Sequence, residues 1–499
     1  MFSRDRRWRV NRRRQVDQST LIKIRLGVLL GLVALAFLIL SAQLLRMQVL
    51  EGKAYAEMAD ANRLRVIPTA SQRGIVYDRS GFPLVKNIPD YVLAVTTADL
   101  PKDQQRAIAR KLGVILRVPV ERVEEVLENR RTLGQHLKPI PIARLDRERV
   151  FAVKAHQREL PGISVLVKPR RYYSYGTLLS QVLGYVGRVS AEEYDTLKEK
   201  AYEPEDWIGK VGVELGYEDT LRGAPGWEQV EINANGDRLR TISSVKPQRG
   251  SNLVLSIDLA FQEEMTRLLQ GGMGESLYAA AIAMDPKTGE VLGLVSLPSY
   301  DSNVFTSPDS EETVLDLLSN PRRPLLNYAI GGIHPPGSIF KIVTGSAALQ
   351  EGVASPSTRI VSTGKIEVPN QYDPKIIYTF PDWAALGSLD FYRGVAMFYY
   401  LAGGYQEFRG LGIQRLAQYA RRFGLGEPTG IDLPGEIAGL VPDPSWKEAT
   451  LDEPWLLGDT YNLGIGQGYL LATPMQMLTM VSAVANGGVI MKPQIVREV

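Results

Sequence analysis

The sequence predicts an α+β multidomain fold carried on a single N-terminal transmembrane helix, and three observations lead there. Its 499 residues exceed what one hydrophobic core organises. From Leu26 to Leu45 no charge interrupts a run dominated by Leu, Val, Ala and Ile, and about 20 such residues cross the ~30 Å hydrocarbon of a bilayer. Past residue 248, strand-like runs come first and helical periodicities follow, the order of an α+β domain.

Composition narrows the class further. Hydrophobic residues at 44% and charged residues at 23% describe a chain that folds mostly in water. The net charge of +3 is small, and without the basic first 25 residues the remainder is slightly acidic, which excludes a nucleic-acid footprint. Cysteine is absent, so there is neither a disulfide framework nor a thiolate metal site. The three histidines, His136, His156 and His334, are too scattered to form a ligand cluster. No metal and no cofactor is expected.

In chain order, Arg4, Arg6, Arg7, Arg9, Arg12, Arg13, Arg14, Lys23 and Arg25 all precede the apolar run. Such clusters stay cytoplasmic, so residues 1–25 read as a tail, 26–46 as the span, and everything later as extracytoplasmic. The run is longer than a signal peptide's apolar segment and lacks a small-residue cleavage site, so it is expected to be retained.

Residues 47–248 mix short strands, such as Tyr91–Thr96 and Ile163–Val167, with polar helical stretches, and hold no cluster of reactive side chains. Arg73-Gly-Ile-Val-Tyr-Asp78-Arg79-Ser-Gly81 reads as architecture: two turn glycines around a short strand, with Asp78 placed to pair with either arginine. Glycines recur from Gly209 to Gly223, with Glu214 among them, and Pro247-Gln-Arg-Gly250 marks a boundary near 248. Beyond it, Leu253–Ile257 reads as a strand. Ala279–Met284 and Val291–Ser296 flank Asp285-Pro-Lys-Thr-Gly-Glu290 as a hairpin. Helices are expected at Ser338–Gln350, Ile413–Arg422 and Pro474–Ala485.

The chemistry concentrates in His334-Pro-Pro-Gly-Ser338-Ile-Phe-Lys341. Two prolines and a glycine halt the chain, and a helix starts at or beside Ser338, whose hydroxyl then sits at a positive dipole end. Residues three apart share a helix face, so the Lys341 amine can reach that hydroxyl. A lysine takes a serine proton only when burial or nearby positive charge lowers its pKa, so Lys341 must be largely desolvated. On spacing alone, the ordinary reading is an N-cap serine followed by a solvent-facing lysine.

Along nearly its whole length the chain resembles the class B penicillin-binding proteins. The likeness is carried by the basic tail and single span, Arg73-Gly to Gly81, Gly184-Tyr-Val-Gly187, Asp285 to Glu290, Pro298-Ser-Tyr-Asp301, Pro335 to Lys341, Thr429-Gly-Ile-Asp-Leu-Pro-Gly-Glu436, and Gly464-Ile-Gly-Gln-Gly468 with Thr473-Pro474. The resemblance implies a pedestal, or dimerisation-like, domain at 47–248 and a penicillin-binding serine transpeptidase domain at 249–499, an antiparallel sheet flanked by helices. It implies further that Ser338 attacks the penultimate D-alanine of a peptidoglycan stem peptide, that an amine of a neighbouring stem completes the cross-link, and that Lys341 carries the proton. The Ser338 N–H would be one oxyanion donor. β-Lactams would acylate the same hydroxyl. The implied setting is the bacterial cytoplasmic membrane during wall elongation, with the lipid bilayer and a RodA-type glycosyltransferase as partners.

The family's other two site elements are not where they belong. Its Ser-x-Asn triplet is missing where Ala396-Met397 runs into Phe398-Tyr399-Tyr400, and Ser388-Leu-Asp390 reads instead as an N-terminal helix signal. Lys-Thr-Gly occurs at Lys287–Gly289, before the serine and in a hairpin turn, where it is a decoy. A loop near 397 and a further C-terminal stretch, holding both motifs, are expected in a longer native gene product. The competing reading is a catalytically defective scaffold that activates the glycosyltransferase. A β-lactamase, D,D-carboxypeptidase or β-lactam sensor is disfavoured by the large pedestal, and a serine-protease triad by the position of His334, which is expected to pack beside the Pro-Pro turn.

Overall fold

The computed structural model describes residues 18–499 except 52–63, 70, 132–138, 201, 204–205, 233–237, 308–309, 370–372, 382–383, 395–397 and 406–407. Most of the arginine cluster before the span, His136 and the Ala396-Met397 junction lie outside the described residues. Two compact units emerge, residues 1–69 with 227–245, and residues 70–226 with 246–499.

The first unit holds the apolar helix Gln18–Leu45, which runs into a π-helical turn at Arg46–Leu50. Its large side chains from Leu26 to Leu45 lie exposed, and Arg25–Val49 is long and apolar enough to cross a membrane. The unit also holds a three-stranded sheet, with Gly226–Ile232 between Leu64–Thr69 and Arg238–Val245.

In the second unit the strand expected at Tyr91–Thr96 is the end of a longer one, Pro83–Val95, which pairs antiparallel from Val85 onward with the whole of Ile163–Tyr173. Pro89 faces Pro169 in that register. The sheet continues from Pro83–Val95 through Val76–Tyr77 to Leu253–Leu255, which pairs parallel with Val76–Tyr77 and antiparallel with Val496–Glu498. Helices Gln105–Leu116, Val120–Arg131 and Arg147–Ala155 contribute to an apolar cluster that contains Leu93, Ile108, Leu112, Leu127 and Val153.

Asp78 is a correction to the sequence reading. Its buried carboxylate accepts the N–H groups of Ser80 (2.9 Å) and Phe82 (2.7 Å) inside its own turn and pairs with neither arginine. Arg73 reaches forward to Glu214 instead, Nε to Oε2 at 2.5 Å, and to Glu218 at 2.6 Å. Arg171 holds the other Glu214 oxygen at 2.6 Å and donates to the Gly74 carbonyl at 2.6 Å. Glu214 is 1% exposed. Burial alone pushes its carboxyl up, but the charges of Arg171 and Arg73 and their hydrogen bonds outweigh that, and its pKa lies below the ordinary value. Beside it, burial and the Glu214 charge push the Tyr173 phenol well up, so it stays protonated. Gly74 packs so close to the Ser251 carbonyl that a Cβ would collide with it.

The hairpin Ala279–Met284 with Val291–Leu297 forms as the Pro/Gly turn between its strands predicts. Lys287–Gly289 fills its turn: the Asp285 carboxylate accepts the Lys287 N–H at 2.8 Å, and Gly289 has φ +79. Helices Ile413–Arg422 and Pro474–Ala485 match their predicted bounds. Ser388-Leu-Asp390 does not open a helix. It belongs to strand Gly387–Asp390, paired antiparallel with Arg359–Ser362, and a partner so far back in the chain leaves no local signal.

Candidate active site

Ser338 lies in a single 3-10 turn, Gly337–Phe340, that feeds helix Lys341–Gln350. The turn is built by its flanks. Pro335 and Pro336 bring the chain in, Gly337 takes φ +60, and Phe340, fully buried, drops into the apolar cluster beneath. Ser338 is left exposed and Lys341 half-buried. The Lys341 ammonium sits 5.4 Å from the centroid of the Phe398 ring, whose π face attracts a cation.

Two carbonyls fix this turn from below. The Gly337 N–H donates to the Gly466 carbonyl (2.8 Å), and the Thr344 hydroxyl donates to the Gly464 carbonyl (2.8 Å). Gly466 has φ +74, and a Cβ there would collide with the Gly337 carbonyl. A Cβ on Gly464 would collide with Ala402 of helix Phe398–Gly403. Glycine is required at 464 and 466 because helix Phe398–Gly403 and the Ser338 turn press on those two positions. Residues 464–468 were legible as a motif, but their contact with Gly337 and Thr344 was not.

On the other flank His334 bridges to Ala472 through N–H to carbonyl bonds of 3.0 and 2.9 Å, and its ring stacks on Tyr278 at 5.7 Å. Tyr278 in turn stacks on Tyr328 at 4.5 Å. His334 thus packs beside the Pro-Pro turn, with its ring occupied by Tyr278. Lys287–Gly289 belongs to the hairpin turn, whose Gly289 packs against Lys492.

A hydroxyl presented on an exposed turn, with a half-buried amine one residue triplet on, suits acyl transfer through a covalent ester. The Penicillin-binding Protein dimerisation domain model matches residues 68–255, and the Penicillin binding protein transpeptidase domain model matches residues 279–499. The chain is 32% identical to the peptidoglycan D,D-transpeptidase MrdA of Acinetobacter baumannii, over 96% of this chain and 70% of that one. Against MrdA of Escherichia coli K12 the identity is 33%, over 96% and 74%. Among solved structures, penicillin-binding protein 2 of Helicobacter pylori in complex with MreC matches with TM-score 0.73 at 28% identity, over 87% of this chain and 79% of that one. A chain from a structure of a peptidoglycan synthase complex matches with TM-score 0.62 at 29% identity, over 95% and 79%.

Proposed function

The chain belongs to the penicillin-binding proteins, in the MrdA or penicillin-binding protein 2 group of peptidoglycan D,D-transpeptidases, and on that premise we propose that Ser338 accepts the acyl group and Lys341 moves its proton. The observation that carries this reading is the Gly337–Phe340 turn itself, which is anchored from below at Gly466 and leaves the one hydroxyl exposed above a half-buried amine.

In the first half-reaction the Ser338 oxygen attacks the carbonyl of the penultimate D-alanine of a stem peptide while Lys341 takes the hydroxyl proton. The tetrahedral centre collapses, Lys341 returns the proton to the leaving amine, and the terminal D-alanine departs, leaving an ester on Ser338. An amine of a second stem peptide then attacks that ester. Its proton leaves through the same lysine, and the serine is regenerated. Stabilisation of the developing oxyanion begins with the Ser338 N–H, at the start of a helix whose dipole favours negative charge. A β-lactam enters as a D-alanyl-D-alanine mimic and stops at the ester.

We place a basic tail at 1–25 on the cytoplasmic side, the span at 26–46, the pedestal at 47–248 and the transpeptidase domain at 249–499, with the bulk of the chain outside the bacterial cytoplasmic membrane. As partners we propose stem peptides, β-lactams, the bilayer and, during elongation, a RodA-type glycosyltransferase. The complexes of relatives with MreC and within a peptidoglycan synthase support a role in such an assembly. A scaffold without acyl transfer is disfavoured, because the relatives carry the D,D-transpeptidase name over nearly the whole of this chain.

Lys341→Met is expected to slow acylation by a fluorescent penicillin by about 10²–10⁴-fold, the usual contribution of a positioned proton carrier. Stopped-time labelling followed by gel fluorescence measures it, and an unchanged rate would remove the lysine from the mechanism. Gly466→Ala is expected to slow the same labelling by ~10-fold or more, because the new methyl displaces the Gly337 carbonyl and shifts the serine.

A further inference from the structure

Helix Pro444–Leu451 contributes an almost completely buried lysine, Lys447, 3% exposed, outside the nucleophile's own turn. Its ammonium is 2.8 Å from Asp459 Oδ2 and 3.4 Å from Glu453 Oε2, and it lies 5.5 Å from the centroid of the Tyr469 ring. Burial opposes its charge, but the hydrogen bond and charge of Asp459, with Glu453, outweigh that and hold it above its ordinary pKa. A buried cation is costly unless paired, and this one is paired on purpose-built neighbours: Trp446, next in the helix, packs against the same Tyr469 ring at 5.4 Å.

The positions of those partners in the chain give the lysine its meaning. Asp459 lies in the first turn of helix Leu457–Gly464, where it also accepts the Leu456 N–H at 2.8 Å. Tyr469 follows immediately after Gly468. Between them lie the Gly464 and Gly466 carbonyls that receive Thr344 and Gly337. One ammonium therefore grips both ends of the segment on which the serine's turn rests.

We infer that Lys447 is a positioning residue for acylation, clamping residues 459–469 through Asp459 and Tyr469 so that the Gly466 carbonyl holds Gly337 and aims Ser338. The inference rests on Ser338 as the nucleophile. Lys447 touches neither substrate nor reacting atoms. It acts through a backbone segment, and a misplacement of about 1 Å at a nucleophile costs ~10²-fold in rate.

The test uses the full-length protein in detergent, with fluorescent penicillin as the probe. Labelling is resolved into noncovalent affinity and the acylation rate constant, and hydrogen exchange is followed in the peptide spanning residues 334–341. Lys447→Met is expected to lower the acylation rate constant by about 10–100-fold, with noncovalent affinity within about twofold of wild type. Exchange at Gly337 should quicken by ~10-fold as its acceptor is released, and Lys447→Arg should restore most of the rate. Asp459→Asn, nearly identical in shape, carries the same expectations if Lys447→Met does not fold. Wild-type rate and wild-type exchange in either folded variant overturn the clamp, as does slow acylation with unaltered exchange. Absence of label on the wild type instead overturns the nucleophile assignment, and the exchange readout still decides the clamp.

Discussion

Ser338→Ala is expected to end covalent labelling by a fluorescent penicillin, with the acylation rate falling by ~10⁴-fold or more. The loss follows from the chemistry of the step. Without the Oγ there is no atom to form the ester, and no other hydroxyl stands on the Gly337–Phe340 turn. The intact mass of the treated wild-type protein should rise by one β-lactam, and that of the variant should not. Reversible binding of the drug should survive, since the turn is held through backbone groups of Gly337 and Gly466 and not through the serine side chain. A variant that still gains the mass at another residue would overturn the assignment.

The second large effect is on stability and lies far from Ser338 in sequence. Glu214→Gln is expected to destabilise the unit formed by residues 70–226 and 246–499 by about 3–5 kcal/mol, because Arg171, and in part Arg73, would keep buried guanidinium charges with no carboxylate between them. For a unit of this size that corresponds to a fall in Tm on the order of 3–6 °C, read by calorimetry. The same node sets a pH dependence. Glu214 has its pKa lowered in the folded state, so its contribution is fully present above the ordinary carboxylate range and is lost as pH falls through the folded pKa. Wild type should therefore lose stability on acidification below about pH 4, and Glu214→Gln should lose less over that interval. Equal acid slopes for the two proteins would refute this account.

Local pattern carried much of the architecture. The hairpin around Asp285–Glu290 and the helices at 413–422 and 474–485 were legible because periodicity and turn residues act within a few positions. What escaped depends on partners that pattern cannot connect. Arg73 and Glu214 are 141 positions apart, and nothing near Arg73 distinguishes Glu214 from the nearer Asp78. Ser388-Leu-Asp390 carries helix-start residues, yet pairing with Arg359–Ser362 decides its state. At the site, spacing made Ser338 and Lys341 neighbours, but only the resemblance along the whole chain singled them out. Lys447 did not stand out, since a lone lysine in an ordinary amphipathic stretch gives no sign that it is buried until Asp459 and Tyr469 converge on it.

Strand Leu253–Leu255 has Val76–Tyr77 on one side and Val496–Glu498 on the other, so one of its neighbours is made about 240 residues after it. Until that later strand arrives the flank presents open N–H and C=O groups. Contacts of such long sequence separation form late and slowly. The Asp432 carboxylate receives the N–H groups of Ile495 (2.6 Å) and Val496 (2.8 Å) and so fixes that late strand in register. Before that pairing forms, the unpaired edge of Leu253–Leu255 is where the folding chain is most open to mispairing.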